Sequence, residues 1–224
     1  MRILTEEFPP YNFTERGRIT GLGTDVVEAV LQEIGAQGDI QSMPWARAYQ
    51  MARDMPGVLI YSIGRTPERE RLFKWVGVIA PTHYYLFSQP GKSLRIDSLE
   101  AAKAYQIGTV NEDVGEQFLV AHGFVKGVNL QSSVKYEHNY EKLQRGRVDL
   151  WIMSELTAYH LARQAGDDPG RTLSKALHIP DLSREGYYMA FGNQTPDELV
   201  SRFRKGLEAI KRNGTYDRLQ RKWR

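Results

Sequence analysis

The sequence predicts an α/β fold built from mostly parallel sheets flanked by helices. Short apolar runs rich in β-formers alternate with longer stretches of helical period, and helix-start signals follow directly on strand ends. The chain of 224 residues also suffices for one large domain or for two lobes of about 100 residues each.

Arg2 to Thr5 reads as a first strand, and Phe8-Pro9-Pro10-Tyr11 as a stiff extended turn, because its prolines fix φ and remove donors. Asn12 to Ile19 reads as a hairpin turning at Arg16-Gly17. Thr24 or Asp25 is placed to cap a helix with Val26, Val27, Val30, Leu31 and Ile34 on one face, ended by Gly35. Asp39 to Met43 is a second strand. Pro44, preset for a helix start, aims Trp45 back over the strand ends, as a pocket wall or as core. Val58 to Ile60 is a buried strand that passes through Tyr61, Ser62 and Gly64 to a helix expected to open at Thr66, with Pro67 in its first turn.

Val76 to Pro81 leads into the aromatic strand His83 to Phe87. A helix around Leu99 to Tyr105 precedes the strand Gln106 to Val110, a turn at Asn111 and Glu112, and a helix from Asp113 with Val114, Phe118 and Leu119 inward. The pattern repeats in strand Val128 to Leu130, helix Tyr136 to Gln144, a stop at Gly146 and strand Val148 to Met153. Ser154 then caps a helix whose first turn holds Glu155. Asp167 to Gly170 reads as a turn, and Ser174 to Ile179 and Gly186 to Phe191 as strands. Thr195-Pro196-Asp197-Glu198 reads as a capping box before a helix with Leu199, Phe203, Leu207 and Ile210 on one face. Gly214 ends it, and Tyr216, Leu219 and Trp223 pack a last helix.

Composition narrows function. Hydrophobic residues make up 41% and charged residues 25%, which is ordinary globular material, and the net charge is only +3. The basic tail from Lys211 alternates cations with apolar positions, a solvated helix face and not a nucleic-acid motif. No run approaches the roughly 18 apolar residues that span a bilayer. Cysteine is absent, excluding disulfides and thiol chemistry. His83, His122, His138, His160 and His178 show no metal-binding spacing, Gly21-Leu22-Gly23 lacks the third glycine of a dinucleotide loop, and neither a nucleophile elbow nor a P-loop occurs. No catalytic residue, metal or cofactor is expected.

The candidate site lies at strand ends, where ligands of open α/β sheets sit. A helix start at Thr66 beside the end of the Val58 strand would offer unpaired N–H groups to an anion, and Arg69 would add a planar fork for a carboxylate. The alternative is a surface helix coated by Arg65, Arg69 and Arg71 beside Glu68 and Glu70.

Four segments in order, TEEFPPYNF with GRITGLGTDVVEAV, TPERERLFKW, LQRGRVDLWIMSE and RNGTYDRLQRKW, resemble the family 3 solute-binding proteins, bilobed receptors of bacterial amino-acid ABC transporters. The resemblance implies a periplasmic binding protein type II-like fold: two α/β lobes, residues 1–85 with 188–224 and residues 86–187, joined by a two-strand hinge around a ligand cleft. It implies a monomer in the periplasm, its export signal removed, that captures a small carboxylate-bearing solute by lobe closure for a membrane permease, with no nucleic acid involved. Arg69 would hold the α-carboxylate, Ser62 a first-lobe contact, and Gly64 a backbone N–H where a serine is common. Phe8 would lie under the ligand or pin the loop as core, with Trp45 and Tyr61 as further walls and Glu6 or Glu7 reaching a ligand side chain if the loop shifts. In the second lobe the candidates are Thr109, Val110, Asn111, Ser154 and Glu155. Many members place an aspartate for the ligand's ammonium where this chain has Ser154, which accepts a hydrogen bond but carries no charge. A dehydratase on the same scaffold, with Glu155 or Glu112 as general acid, and a sensory domain are the alternatives from other classes.

Overall fold

A computed structural model describes residues 1–92, 94–184 and 186–223. The chain divides into two compact units, Met1–Pro81 with Glu185–Arg224, and Thr82–Arg184.

Unit 1 opens with strands β1 (Arg2–Thr5), β2 (Phe13–Glu15) and β3 (Arg18–Thr20), helix α1 (Leu22–Glu33), β4 (Asp39–Ser42), α2 (Trp45–Asp54), β5 (Leu59–Gly64) and β6 (Phe73–Ala80). Unit 2 follows as β7 (Tyr84–Ser88), a 3-10 turn at Ala101–Ala104, β8 (Ile107–Val110), α3 (Val114–Ala121), β9 (Leu130–Ser133), α4 (Tyr136–Gln144), β10 (Leu150–Ser154), α5 (Glu155–Gln164), α6 (Pro169–Thr172), β11 (Ser174–Ile179) and α7 (Pro180–Ser183). The chain returns to unit 1 as β12 (Tyr187–Gly192), α8 (Asp197–Arg212) and α9 (Thr215–Lys222).

Each unit holds a five-stranded sheet. In unit 1 the order is β4-β1-β5-β12-β6, with β1, β4 and β5 parallel and β12 antiparallel to both its neighbours. The face toward α2 buries Leu4, Trp45, Tyr49, Ile60, Phe73 and Trp75 in one apolar cluster. The other face is covered by α1 and α8, which meet where Gly206 comes against Val30 and Ile34. In unit 2 the order is β11-β7-β10-β8-β9, with β8, β9 and β10 parallel and β7 antiparallel to β10 and β11. Residues 111–113 lead from β8 into α3 and Ser154 leads directly into α5, and each helix packs back on the strand before it. The small sheet β2-β3 turns at Arg16 and Gly17, both in the left-handed region, as the hairpin reading requires.

Several local expectations are corrected. No helix forms at Thr66: residues 67–72 are turns, closed by Arg69 N–H donating to the Thr66 carbonyl (3.1 Å) and Leu72 N–H to the Arg69 carbonyl (3.0 Å), because β6 begins at Phe73 and leaves no room for a helical nucleus. Helix α1 starts before Thr24 and Asp25, at Gly21 with φ 120°, because an added Cβ there would meet the Tyr11 carbonyl oxygen at 2.5 Å. Helix α8 has no side-chain cap; the Thr195 hydroxyl instead accepts the Gly57 N–H at 3.0 Å, and Val200 replaces Leu199 on the buried face. The stretch 167–170 ends in the one-turn helix α6 capped by Asp168, and the helix expected from Leu99 is only the 3-10 turn. Strands β9 and β10 begin two residues later than Val128 and Val148, and Phe118 is only half-buried, stacked on His122 at 4.2 Å.

The division between units also differs from the expected 85/86 and 187/188, because pairing decides it. Tyr84 and Tyr85 pair with β10 and β11, whereas Tyr187 pairs with β5 and β6. Within unit 1 the two chain crossings run side by side: Gly186, at φ 91°, lies so close that an added Cβ would sit 2.3 Å from the Ala80 carbonyl oxygen. Within unit 2 they are tied again, since Tyr84 N–H donates to Ser183 Oγ at 2.8 Å. Gly186→Ala is therefore expected to destabilise the protein by about 2 kcal/mol, through both the backbone conformation and the clash. Urea unfolding checks this; a wild-type midpoint would refute the steric account.

Candidate functional site

In unit 1 the parallel strands β1, β4 and β5 end on one rim, with Thr5 beside Ser42 and Leu4 beside Ile60. The six unit 1 candidates lie on the segments that follow these pairings: Phe8 after Thr5, Trp45 after Ser42, and Tyr61, Ser62, Gly64 and Arg69 after Ile60. Ser62 is a bulge: Tyr188 pairs with Ile63 and Met189 with Tyr61, so Ser62 has no partner residue on β12 and takes φ 58°. Its buried hydroxyl makes no hydrogen bond, and it packs so closely on α1 that a Cβ on Gly23 would come within 2.6 Å. A serine held in the left-handed region costs about 1 kcal/mol or more, and such cost concentrates where a group must be aimed.

Arg69 is buried, and the surface-coat alternative is thereby overturned for it, while Arg65 and Arg71 stay exposed. Its Nη1 donates to the Gly64 carbonyl at 3.0 Å, and its Cζ lies 5.4 Å from the Trp45 ring centre and 5.0 Å from that of Tyr49. Arg65 instead closes a two-bond pair with Glu70 at 2.7 and 2.8 Å. Trp45 and Tyr49, 5.8 Å apart, thus present aromatic faces to the guanidinium, so Trp45 is core and supports Arg69 at once. Gly64 contributes its carbonyl to this seat.

The other unit 1 candidates divide. Phe8 is buried, stacked on Tyr11 at 5.2 Å and edge-on to Tyr187 at 5.2 Å, which favours the loop-pinning reading. Tyr61 turns toward α1, its hydroxyl 2.9 Å from Thr24 Oγ1, and burial pushes the phenol well above its ordinary pKa. That direction takes it off the rim and corrects its assignment as a wall. Glu7 is engaged by Thr14 N–H at 2.8 Å and by the Thr14 and Ser42 hydroxyls, both at 2.7 Å.

In unit 2 the parallel strands β8, β9 and β10 likewise end together, at Val110, Ser133 and Ser154. Ser154 is buried, and its Oγ accepts Thr157 N–H at 3.4 Å as the cap of α5. Glu155 pairs with Lys175 at 2.6 Å, and this bond, against the opposing cost of burial, raises the Lys175 pKa. Thr109 is corrected as a direct contact: its hydroxyl donates to Glu116 Oε2 at 2.7 Å and its carbonyl accepts Asn139 Nδ2 at 2.8 Å. Val110 is buried, while Asn111 is exposed and accepts from Lys126 Nζ at 3.3 Å.

Sequence reading missed Glu116, a buried carboxylate that organises this rim. It accepts from Thr109 and Ser132 hydroxyls, from Glu112 N–H at 2.9 Å and from Lys126 Nζ at 2.6 Å. The Glu112 N–H is aimed inward by that residue's φ of 61°. A visible signal was Asp113-x-x-Glu116, the spacing of a capping box; Asp113 does accept the Glu116 N–H at 2.7 Å, but the glutamate reaches beyond the cap. Among the described residues no group of three or more His, Cys, Asp or Glu could hold a metal ion, and no helix is long and apolar enough to cross a membrane.

The architecture is that of type II periplasmic binding proteins. The chain belongs to the bacterial extracellular solute-binding proteins, family 3, whose model matches residues 1–224. It is 22% identical to the arginine-binding extracellular protein ArtP of Bacillus subtilis, over 97% of this chain and 82% of that protein. A solved ancestral arginine-binding protein bound to arginine superposes with a TM-score of 0.84 at 22% identity, covering 99% of this chain and 96% of the other. A histidine kinase sensor domain similar to periplasmic binding proteins gives 0.86 at 16% identity, covering 99% and 94%.

Burial acts to raise the Glu116 pKa, but Lys126, the Ser132 hydroxyl, the Glu112 N–H and the Thr109 hydroxyl outweigh it, and the net shift is downward from 4.5. A depressed carboxylate contributes stability that is present above its unfolded pKa and is lost as pH falls through the folded value. Glu116→Gln is therefore expected to be less stable than wild type by about 2 kcal/mol at neutral pH, with the gap narrowing as pH drops below roughly 4.5. Chemical unfolding across pH checks this, and a pH-independent gap would contradict it.

Proposed function

We propose that this protein is the periplasmic binding component of an ABC transporter, a non-enzymatic receptor that captures a small carboxylate-bearing solute, an amino acid or a close relative, for a membrane permease. The observation that carries the reading is Arg69, a buried guanidinium oriented by the Gly64 carbonyl and two ring faces at the carboxyl rim of unit 1. The bulged Ser62 hydroxyl on the same strand supplies a further donor whose hydrogen bond is still to be made.

In this reading the carboxylate binds unit 1 first, on Arg69 and Ser62. The strand ends of unit 2, at Asn111 and around Ser154 and Glu155, add contacts made only when the two units close on the solute. A solute shifts that equilibrium by the difference in affinity it has for the two states. Each charge-assisted hydrogen bond contributes roughly 1.5 to 3 kcal/mol, so four or five suffice to offset closure and leave micromolar binding. Arginine-binding relatives support an amino-acid ligand. Serine at 154, already used as a helix cap, and Glu155, already paired with Lys175, argue for a solute whose positive charge is absent or is met elsewhere. The likeness to a histidine kinase sensor domain supports a second reading, in which the same capture event signals and does not transport.

A thermal-shift screen of amino acids and small carboxylates is expected to find a solute that raises the melting temperature with concentration. With that solute, calorimetry should show no detectable binding to Arg69→Ala and roughly 10- to 100-fold weaker binding to Arg69→Lys, which keeps the charge and loses the fork. Circular dichroism separates lost binding from lost fold. Undiminished affinity in a folded Arg69→Ala protein would reject the assignment.

A further inference from the structure

Unit 2 carries a groove of about 340 Å³ where α4 meets the edge strand β9. From the strand come Ser132 and Ser133. From the helix come His138, Glu141 and Lys142, spaced so that they share one face; Arg145 caps its C-terminal end and Arg147 follows two residues later. Three permanent or near-permanent cations thus meet one carboxylate, a local excess of two positive charges.

Among the described residues no carboxylate neutralises those cations through an ion pair: neither Lys142, Arg145 nor Arg147 lies within ion-pairing distance of one, whereas Lys74, Lys126, Lys175 and Lys222 each do. Lys142 is half-buried, and its ammonium donates to Ser133 Oγ at 2.9 Å. Burial first, and the neighbouring Arg147 second, pull its pKa below the ordinary lysine value, so the fold holds a partly desolvated cation against a second one. Such an arrangement is unfavourable when empty and is relieved by an anion of matching charge. The volume falls in the range of small-molecule pockets, about 300 to 1,000 Å³.

We propose that this groove binds a phosphate group, gripped by the Arg145 and Arg147 guanidinium forks and by the Lys142 ammonium. Phosphate carries about −1.5 to −2 at neutral pH and offers three acceptor oxygens, matching the charge excess and the number of donors better than a monocarboxylate does. The site uses none of the residues assigned to solute capture.

The test titrates the intact protein with inorganic phosphate at low ionic strength, following backbone amide shifts and heat. The expected result is saturable binding localised to residues 132–147, about tenfold weaker in an Arg145→Gln/Arg147→Gln double variant and in Lys142→Gln, and unchanged in Arg69→Ala. Both arginines are exposed, so the double variant should fold as wild type does. A parallel arm sediments the protein with vesicles of phosphatidylcholine doped with phosphatidic acid, whose headgroup is a phosphate monoester, or of phosphatidylcholine alone. Retention on the former alone, lost in the double variant, places the phosphate in a lipid headgroup; saturation by free phosphate without retention places it in a soluble ester. No saturable response in either arm, or responses unmoved by the variants, overturns the proposal. Loss of solute capture in Arg69→Ala leaves this result untouched, so the two readings fail separately.

Discussion

The seat of the Arg69 guanidinium is the constraint on which unit 1 turns. Taking a cation out of water is costly unless oriented dipoles and polarisable faces surround it, and here a strand-end carbonyl and two aromatic rings do so. The parts come from β5, from the first two turns of α2 and from the turns that replace a helix after Thr66. Their meeting depends on parallel strands that end together and on β6 starting early enough to keep the 66–72 turn tight. The same rim carries the Ser62 bulge, so the geometry that fixes the guanidinium also aims a hydroxyl.

Unit 2 stabilises its rim by a different device. A buried carboxylate, Glu116, gathers donors from β8, β9, the turn at Glu112 and Lys126, converting two strand ends and a turn into one hydrogen-bonded object. The consequence for solute recognition is indirect. Thr109 and Ser154 already spend their side-chain oxygens on the scaffold, so the groups this rim can turn toward a solute are Asn111, the Glu155–Lys175 pair and main-chain N–H groups.

The relation between sequence and site is uneven along the chain. Arg69 was singled out because the segment TPER that carries it resembles the family's motif; its position after a strand end also allowed a surface coat, and only the fold shows that the side chain is buried. The helix expected around it was a misreading, since capping signals at Thr66 and Pro67 are local and cannot register that Phe73 belongs to a strand. Tyr61 was misread for a related reason: the bulge at Ser62 resets which side chains face α1, and bulges leave little trace in an alternating apolar run.

Sequence by itself determined the α/β class, most element positions and the solute-binding family, and it named Arg69 as the candidate to hold a carboxylate, because apolar period, helix punctuation and ordered motifs are properties of neighbouring residues. Tertiary structure alone decided which unit claims Tyr84, Tyr85 and Tyr187, which hydroxyls are spent internally, that Glu116 is a hub of hydrogen bonds, and that Lys142, Arg145 and Arg147 line one groove. Those outcomes depend on strand pairing and on which charges find partners across long sequence separations, and a linear pattern carries no record of either.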